Sequence, residues 1–232
     1  MNEKTHAWII AQFYQALTNF DASRGKDVFI RAARRYGEER GYRMALRALR
    51  DGQPLNIATY MAYSEWRPTD ASFYASTVAS FTPDYENHNA RCPWVETFVE
   101  VSGWDCAATY CAQVDASIVR GFNPDVQFEL IHPLSPAHEC RMVFREAYLP
   151  SADKPLPHSD DTVRPWSYHC GHLWHAFADT LAQVYADAGD ALSTRVFTLF
   201  TEAFGADNAA LLCSEAQRDF RSIAPLLNTL VS

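Results

Sequence analysis

The sequence predicts an α+β fold in which helical hairpins at both ends of the chain form a layer that packs with a central segment of antiparallel sheet and helix. Helical apolar periodicity fills residues 1–50 and 167–220, whereas residues 70–148 contain runs of β-branched and aromatic residues. With 232 residues and 48% hydrophobic content, the chain can bury a sizeable core. We therefore expect a single domain over residues 1–232.

The N-terminal hairpin consists of two predicted helices. The apolar positions of residues 5–20 follow a helical period, and a second helix is expected over residues 26–49. Gly37 and Gly41 lie near the middle of the second helix, where glycine lowers helix stability unless the chain turns there.

The central segment, residues 70–148, contains the predicted sheet. The stretch SFYASTVASF at 72–81 favours a strand. Apolar alternation in DVQFELIHPL and HECRMVFREAYL predicts two more strands, joined by a loop at SPAH. In the last of them Cys140, Met142 and Phe144 are expected on one buried face.

Two helices are predicted between the first of these strands and the last two. Pro93 at a helix start and Gly103 at its stop delimit the first helix, and the second continues from Trp104 to Arg120. Cys111 and Asp115 lie one turn apart on the second helix, so their side chains share a face.

The C-terminal part begins with a predicted linker at 150–166, which holds four prolines and three aspartates. Beyond it, HLWHAFADTLAQVYADAG resembles HAWIIAQFYQALTNFDASRG near the N-terminus, with a similar order of His-x-Trp, apolar helix and glycine turn. This similarity predicts that the helical hairpin at 167–220 duplicates the one at 1–50.

Charge and composition limit the function classes. A net charge of −8 and a pI near 5.4 argue against binding nucleic acid, which requires a clustered basic face. The polar, acidic N-terminus and the absence of a long apolar run predict a cytoplasmic protein that does not enter a membrane. The six cysteines are then expected as reduced thiols, the partner as a small-molecule substrate, and apolar surface residues such as Trp8 are compatible with a homodimer.

Three cysteines are candidate nucleophiles. Cys92 stands at a helix entry, where the positive end of the helix dipole lowers a thiol pKa. Cys140 follows His138, a candidate base. Asp115 would raise the pKa of Cys111, so this carboxylate is better suited to orient a histidine or to bind an amino or amidine group. A free cysteine taken alone is more often an inert buried side chain.

A histidine cluster, YHCGHLWHAF, places His169, His172 and His175 at successive steps of three. The zinc-protease pattern needs a spacing of four with an intervening glutamate, and no CxxC pair occurs in the chain. Dinucleotide, P-loop and serine-elbow motifs are also absent. We therefore predict neither a metal nor a cofactor, although a metal-dependent lyase or hydrolase stays open as an alternative.

A series of motifs resembles the L-2-amino-thiazoline-4-carboxylic acid hydrolase family. It comprises Cys-Pro at 92–93, YCxxVD at 110–115, GFNP at 121–124, a strand pair carrying Cys140, and YHxxHLW at 168–174. The resemblance implies hydrolysis of a C–N or C–S bond in a cyclic amidine or thiazoline, in which water adds to the carbon between sulfur and nitrogen.

The site residues follow in part from this resemblance. It carries over Cys92, Cys111, Asp115, Asn123, Cys140, His169 and His172 as site candidates, the cysteines and Asp115 for catalysis and the others for substrate binding. His138 is added as a catalytic base, and Arg141 or Arg91 as the partner of a substrate carboxylate. The loop PLSPAHEC is richer in proline than the family pattern.

A different class of function competes with this hydrolase. A domain that binds or senses a small molecule without turnover would have the same α+β segment. The thiols discriminate between the two hypotheses, because an enzyme predicts one cysteine that is alkylated unusually fast near neutral pH.

Overall fold

The computed structural model describes residues 1–150 and 162–223 and confirms the α+β class. Within these residues the helices are α1 (Glu3–Phe20), α2 (Gly25–Arg50), α3 (Ile57–Ala62), α4 (Pro93–Ser102), α5 (Trp104–Phe122), α6 (Trp166–Tyr185), α7 (Asp187–Phe204) and α8 (Ala206–Ala216), with a short 3₁₀ helix at Ala71–Phe73. The strands are β1 (Ala75–Ser80), β2 (Tyr85–Arg91), β3 (Phe128–His132) and β4 (Cys140–Phe144).

Local sequence signals set several helix ends. Asn2 and Thr5 form a capping box, in which the Thr5 N–H donates to Asn2 Oδ1 at 3.0 Å, and α1 begins there. Pro93 occupies the first turn of α4 and Cys92 is its N-cap residue, as predicted. Gly103 separates α4 from α5 with a φ of 82°, a backbone conformation that glycine adopts readily.

Helices α2 and α5 form the most extensive helix pair in the described residues. The chain does not turn at Gly37 and Gly41, because α2 continues through both as one helix of 26 residues. The glycines instead allow close approach: a Cβ at Gly41 would overlap the Ile118 carbonyl, and one at Gly121 would overlap the Glu38 carbonyl. The helix–helix contact offsets the intrinsic cost of glycine.

The four strands form one antiparallel sheet in the order β1-β2-β4-β3. Strand β4 pairs with β2 without interruption, with Cys140 opposite Asn89 and Phe144 opposite Tyr85, and it pairs with β3, with Phe144 opposite Phe128 and a register shift between Leu130 and His132. Phe144 is buried on this face, as the alternation predicts. Cys140 and Met142 on the same face are only half-buried, because they line a cavity.

The C-terminal helices pack on the N-terminal ones through α6, which contacts α1 and α2, and through α7, which contacts α1. Trp8 is not a free surface residue, because its ring packs edge-on against Phe204 with centroids 5.1 Å apart. The second predicted hairpin breaks at Gly205 (φ 84°), where α7 ends and α8 begins. Most of the predicted linker lies outside the described residues.

The turns at the two hairpins support the predicted duplication. A Cβ at Gly25 would meet the carbonyl of Leu17, and a Cβ at Gly189 would meet the carbonyl of Leu181, so both glycines approach the carbonyl eight residues earlier. The descent of one hairpin from the other stays a prediction. No helix in residues 1–150 or 162–223 is long and apolar enough to cross a membrane.

Candidate active site

A cavity of about 510 Å³ lies between the sheet and helices α1, α2, α4 and α5. Its lining groups are three thiols, one carboxylate, two arginines, one imidazole, several aromatic rings and a few small polar or apolar side chains. The residues that matter for chemistry are Cys92, Cys111, Cys140, Asp115, Arg40, His6, Tyr36, Tyr74, Tyr110, Trp66 and Trp94. Helix α6 contributes none of the lining residues.

The cavity brings together the three cysteines that the sequence marked as candidates. All three are free thiols, half-buried because they face the cavity. Burial raises the pKa of Cys92 to about 11 and that of Cys140 to about 12, and it raises the pKa of Cys111 well above its ordinary value. In the free protein all three sulfurs are therefore protonated at neutral pH.

Cys92 differs from the other two in its position at the N-terminus of α4. The backbone N–H groups of Trp94 and Val95 act to lower its pKa, against the larger effect of burial. Cys92 thus has two backbone donors from the first turn of a helix, whereas Cys140 has one backbone donor, from Leu134, and a side-chain donor, from Asn89. The helix N-terminus thus acts to lower the pKa of Cys92, as predicted, but burial raises this pKa by more.

Asp115 is the one carboxylate among the cavity-lining residues. Burial raises its pKa to about 6, with Arg40 acting in the opposite direction. Its charge raises the pKa of each of the three cavity cysteines, so the carboxylate lies close to all of them. The Asp115 side chain makes no hydrogen bond to any residue within 1–150 and 162–223.

Arg40 contributes a guanidinium to the same cavity. Its side chain is only 8% exposed, and its Nε is buried with no hydrogen-bond partner in the described structure. Its nearest carboxylate is Glu65, with Nε 3.9 Å from Oε2, and its Cζ lies 5.9 Å from the centroid of the Trp66 ring. A carboxyl group and a guanidinium that both lack hydrogen-bond partners in the described structure therefore face one cavity.

His6 lines the cavity as a neutral imidazole, because burial lowers its pKa well below the ordinary value. Indole N–H groups only donate, so the Trp94 Nε1–H donates to His6 Nδ1 at 3.0 Å. The proton of the ring is then on Nε2, which donates to the Tyr36 hydroxyl at 3.1 Å. Both nitrogens are engaged, so His6 positions Trp94 and Tyr36 and has no nitrogen left to accept a proton.

Behind Arg40 lies an ion-paired group that we call the Glu65 cluster, formed by Glu65, Arg43 and Arg47, in which Arg47 Nε has no hydrogen-bond partner in the described structure. Arg43 binds Glu65 through two bonds of 3.1 and 2.8 Å, and Arg47 Nη1 donates to the same carboxylate. Burial alone would raise the pKa of Glu65, but Arg43 and Arg47 outweigh it and hold the pKa far below the ordinary value.

Two of the predicted binding residues, His169 and His172, lie next to the Glu65 cluster and not in the cavity lining. His169 Nε2 lies 3.0 Å from the Glu65 carbonyl oxygen, and its Nδ1 has no partner among the described residues. His172 lies between Arg43 and Glu39, with Nε2 3.0 Å from Glu39 Oε2. Both are buried, and burial lowers the pKa of both.

Three other predicted residues lie outside the cavity lining as well. His138 is exposed in the loop before β4, with its ring stacked on His132 at 4.5 Å. Arg141 is exposed on β4 and pairs with Glu86 at 2.7 Å. Asn123 Nδ2 donates to the Leu55 carbonyl at 2.8 Å and follows the end of α5.

Sequence reasoning missed Arg40 and His6. The arginine-rich helix was interpreted only as a charged cluster, but Arg40, Arg43 and Arg47 follow Tyr36 at steps of three and four and so share its buried face. That spacing was the available signal. Nothing in the local sequence around His6 indicates that it meets residues of α2 and α4.

No group of three or more His, Cys, Asp or Glu side chains in the described parts of the chain is arranged to hold a metal ion.

The comparison with protein families gives a match. The family model described as L-2-amino-thiazoline-4-carboxylic acid hydrolase covers residues 2–143, more than half of the chain and all of the cavity-lining residues. The searches of curated proteins and of solved structures gave no significant match. The family name denotes hydrolysis of a thiazoline carboxylic acid. The chain belongs to the L-2-amino-thiazoline-4-carboxylic acid hydrolase family.

Proposed function

We propose that this protein hydrolyses a 2-amino-thiazoline carboxylate or a closely related cyclic amidine in the cavity. The observation that carries the proposal is the pair Asp115 and Arg40, two charged groups that face the cavity with no hydrogen-bond partner in the described structure. Buried charges are costly unless they are paired, so such groups are typical of a site that receives its partners from a ligand.

The charges of the proposed substrate complement this pair. A 2-amino-thiazoline carboxylate carries an amidinium at one end and a carboxylate at the other. Asp115 is suited to the amidinium, and the Arg40 guanidinium to the carboxylate, with which it can form a planar two-point contact. Arg40 thereby takes the role for which the sequence offered Arg141 or Arg91, which are both exposed and paired with glutamates.

Cys92 is the proposed nucleophile, because it alone of the three thiols stands at a helix N-terminus. Its thiol is protonated in the free protein, where Asp115 disfavours a second negative charge. A bound amidinium would neutralise Asp115 and place a positive charge beside the sulfur, and both changes lower the thiol pKa. Substrate binding would therefore generate the nucleophile.

The proposed reaction has two steps. The Cys92 sulfur bonds to the carbon between the ring sulfur and nitrogen, the ring C–S bond breaks, and the thiol proton passes to the departing sulfur. Water then adds to the same carbon and displaces Cys92, which recovers a proton from that water. The second proton is released, because the cationic adduct has become a neutral urea group. The product is an N-carbamoyl cysteine.

The remaining predicted residues receive positioning roles in this proposal. His169 and His172 would hold the Glu65 cluster, which in turn supports Arg40, and Cys111 and Cys140 would shape the pocket around the ring. Asn123 would fix the end of α5, the helix that carries Asp115.

The test is a set of serine variants assayed with 2-amino-thiazoline-4-carboxylate, following the released thiol. We expect Cys92→Ser to lower kcat about 10³-fold or more, and Cys111→Ser and Cys140→Ser to lower it less than about tenfold. Cys213→Ser is the matched control, because Cys213 is exposed and outside the cavity lining. Acid-quenched wild-type enzyme should carry the substrate mass on the Cys92 peptide.

Two outcomes would contradict the proposal. Tight binding of the thiazoline with no thiol release in any variant would indicate a binding domain without turnover, which the raised thiol pKa values would also suit. Turnover that survives all three cavity substitutions would exclude a cysteine nucleophile and leave direct attack by water.

A further inference from the structure

The cavity has more room and more aromatic surface than the thiazoline ring uses. A 2-amino-thiazoline carboxylate has about nine non-hydrogen atoms, and even at the roughly 30 Å³ that a water molecule occupies in the liquid they would fill about 270 Å³. The cavity measures about 510 Å³. Close to half of it therefore stays unfilled by the parent compound, in a protein interior that otherwise packs densely.

The extra room is bounded by three rings that we call the aromatic wall: Trp66, Tyr74 and Trp94. Their centroids are 6.1 Å apart for Trp66 and Tyr74, 5.4 Å for Trp66 and Trp94, and 6.4 Å for Tyr74 and Trp94. All three line the cavity and are half-buried. Ring faces at this spacing favour stacked or edge contacts with a further aromatic group.

The aromatic wall is fixed by contacts with neighbouring side chains. The Trp94 Nε1–H is used by His6, and the Tyr74 hydroxyl donates to the buried carboxylate of Glu3 at 3.2 Å. Trp66 packs against Trp166 with centroids 5.7 Å apart. These contacts hold the three rings in place, and the Trp94 N–H and the Tyr74 hydroxyl are already engaged.

The position of the aromatic wall suits a substituent that points away from the reacting carbon. Asp115 and Cys111 lie half-buried on α5, whereas Pro68 and Ala71, which follow Trp66 and precede Tyr74 in the chain, line the same cavity and are exposed. A ring bound to Asp115 and Arg40 would therefore extend any substituent past the wall toward solvent.

We infer that the substrate carries an aromatic or bulky apolar group beyond the cyclic amidine ring, and that this group packs against Trp66, Tyr74 and Trp94. The inference rests on the proposed function for the position of the ring, and it narrows the substrate class to compounds that carry such a group.

The experiment compares 2-amino-thiazoline-4-carboxylate with its 5-phenyl derivative. Binding of the two compounds is measured by calorimetry with the Cys92→Ser variant, and their turnover is measured with the wild-type enzyme. We expect the phenyl compound to bind at least tenfold more tightly and to have a kcat/KM at least tenfold higher. Trp66→Ala should remove most of that preference and Trp66→Phe should keep it. Trp104→Ala, at an exposed ring outside the cavity lining, is the control and should change nothing.

The outcomes separate this inference from the proposed function. Hydrolysis of both compounds with equal kcat/KM would overturn the inference and leave the hydrolase proposal intact. Binding that favours the phenyl compound through Trp66, with neither compound hydrolysed, would support the aromatic subsite and overturn the hydrolase proposal. If Trp66→Ala does not fold, the preference of the wild type, retained in Trp66→Phe, decides the question.

Discussion

Two carboxylates, the buried Glu65 and the half-buried Asp115 of the cavity, both interact electrostatically with Arg40, and their surroundings differ in kind. Glu65 is bound by Arg43 and Arg47, and these partners lower its pKa despite burial. Asp115 has no hydrogen-bond partner in the described structure, and burial raises its pKa to about 6. The fold thus supplies hydrogen-bond partners to the Glu65 carboxylate and none to that of Asp115 among the described residues.

The difference between Glu65 and Asp115 indicates different roles for the two carboxylates. A buried carboxylate with its partners in place contributes to the folded state, and removing it leaves arginines uncompensated. A buried carboxylate without partners destabilises the folded protein, and such a group persists where a ligand needs it. The difference supports our proposal that the cavity, and not the larger charge cluster beside it, is the active site.

The largest effect is expected at Glu65. Glu65→Gln should lower the free energy of unfolding by about 3–5 kcal/mol at pH 7, because Arg43 and Arg47 would lose their counter-charge. Denaturant unfolding followed by circular dichroism measures this loss. Glu96→Gln is the matched control, since its pair with Arg91 is exposed, and it should change stability by less than about 1 kcal/mol.

The pH dependence of that loss has a defined sign. The folded pKa of Glu65 lies below the unfolded one, so its contribution is present above about pH 4.3 and disappears as the pH falls through the folded pKa. The stability difference between the wild type and Glu65→Gln should therefore shrink in acid. A difference that is constant from pH 7 to pH 3 would contradict the assignment.

The next effect has the opposite sign. Asp115→Asn should raise the free energy of unfolding by about 1–3 kcal/mol at pH 7, because a folded pKa near 6 means that ionising Asp115 destabilises the folded state. The wild type has the stability that goes with a protonated Asp115 below about pH 4, and it loses this stability as the pH rises through 6. The free energies of unfolding of the wild type and Asp115→Asn should therefore be nearly equal at pH 4. The same variant should lose activity, and a gain in stability at every pH would point to packing instead of charge.

The smallest effect concerns the link between the two carboxylates. Arg40→Gln should raise the pKa of Asp115 further, by about one unit, because the Arg40 charge acts to lower it. Carbon-13 NMR of labelled aspartate measures the shift, and Arg120→Gln, on the exposed side of α5, is the control. An unchanged Asp115 pKa would mean that Arg40 does not act on the cavity.

The sequence predicted the elements whose signals are local. Pro93 and Gly103 marked the limits of α4, and alternation identified the face of β4 that carries the buried Phe144 and the cavity-lining Cys140. It also selected three thiols and Asp115, which meet in the cavity although they belong to different elements. These residues shared a recognisable order of motifs along the chain.

The sequence did not reveal how distant segments pair. In the sequence, Arg40 is one of many charged residues of its helix. In the structure it lies 3.9 Å from the carboxylate of Glu65, a residue that follows α3 and belongs to no motif. The histidines of α6 formed the more conspicuous cluster, yet their partners are Glu39, Arg43 and the Glu65 carbonyl. Spacing along a helix gives a shared face, but only tertiary packing decides what that face contacts.

The most direct test of the role of Asp115 is to measure substrate binding over a series of pH values. Isothermal titration of Cys92→Ser with 2-amino-thiazoline-4-carboxylate should give an affinity about tenfold weaker at pH 5 than at pH 8, because Asp115 must ionise with a pKa of about 6 to hold the amidinium. Adding Asp115→Asn should remove both the tight binding and its pH dependence, with the titration of the ligand itself measured in parallel. Equal affinity for the two variants across this range would contradict the central claim that Asp115 is held without partners for a cationic substrate.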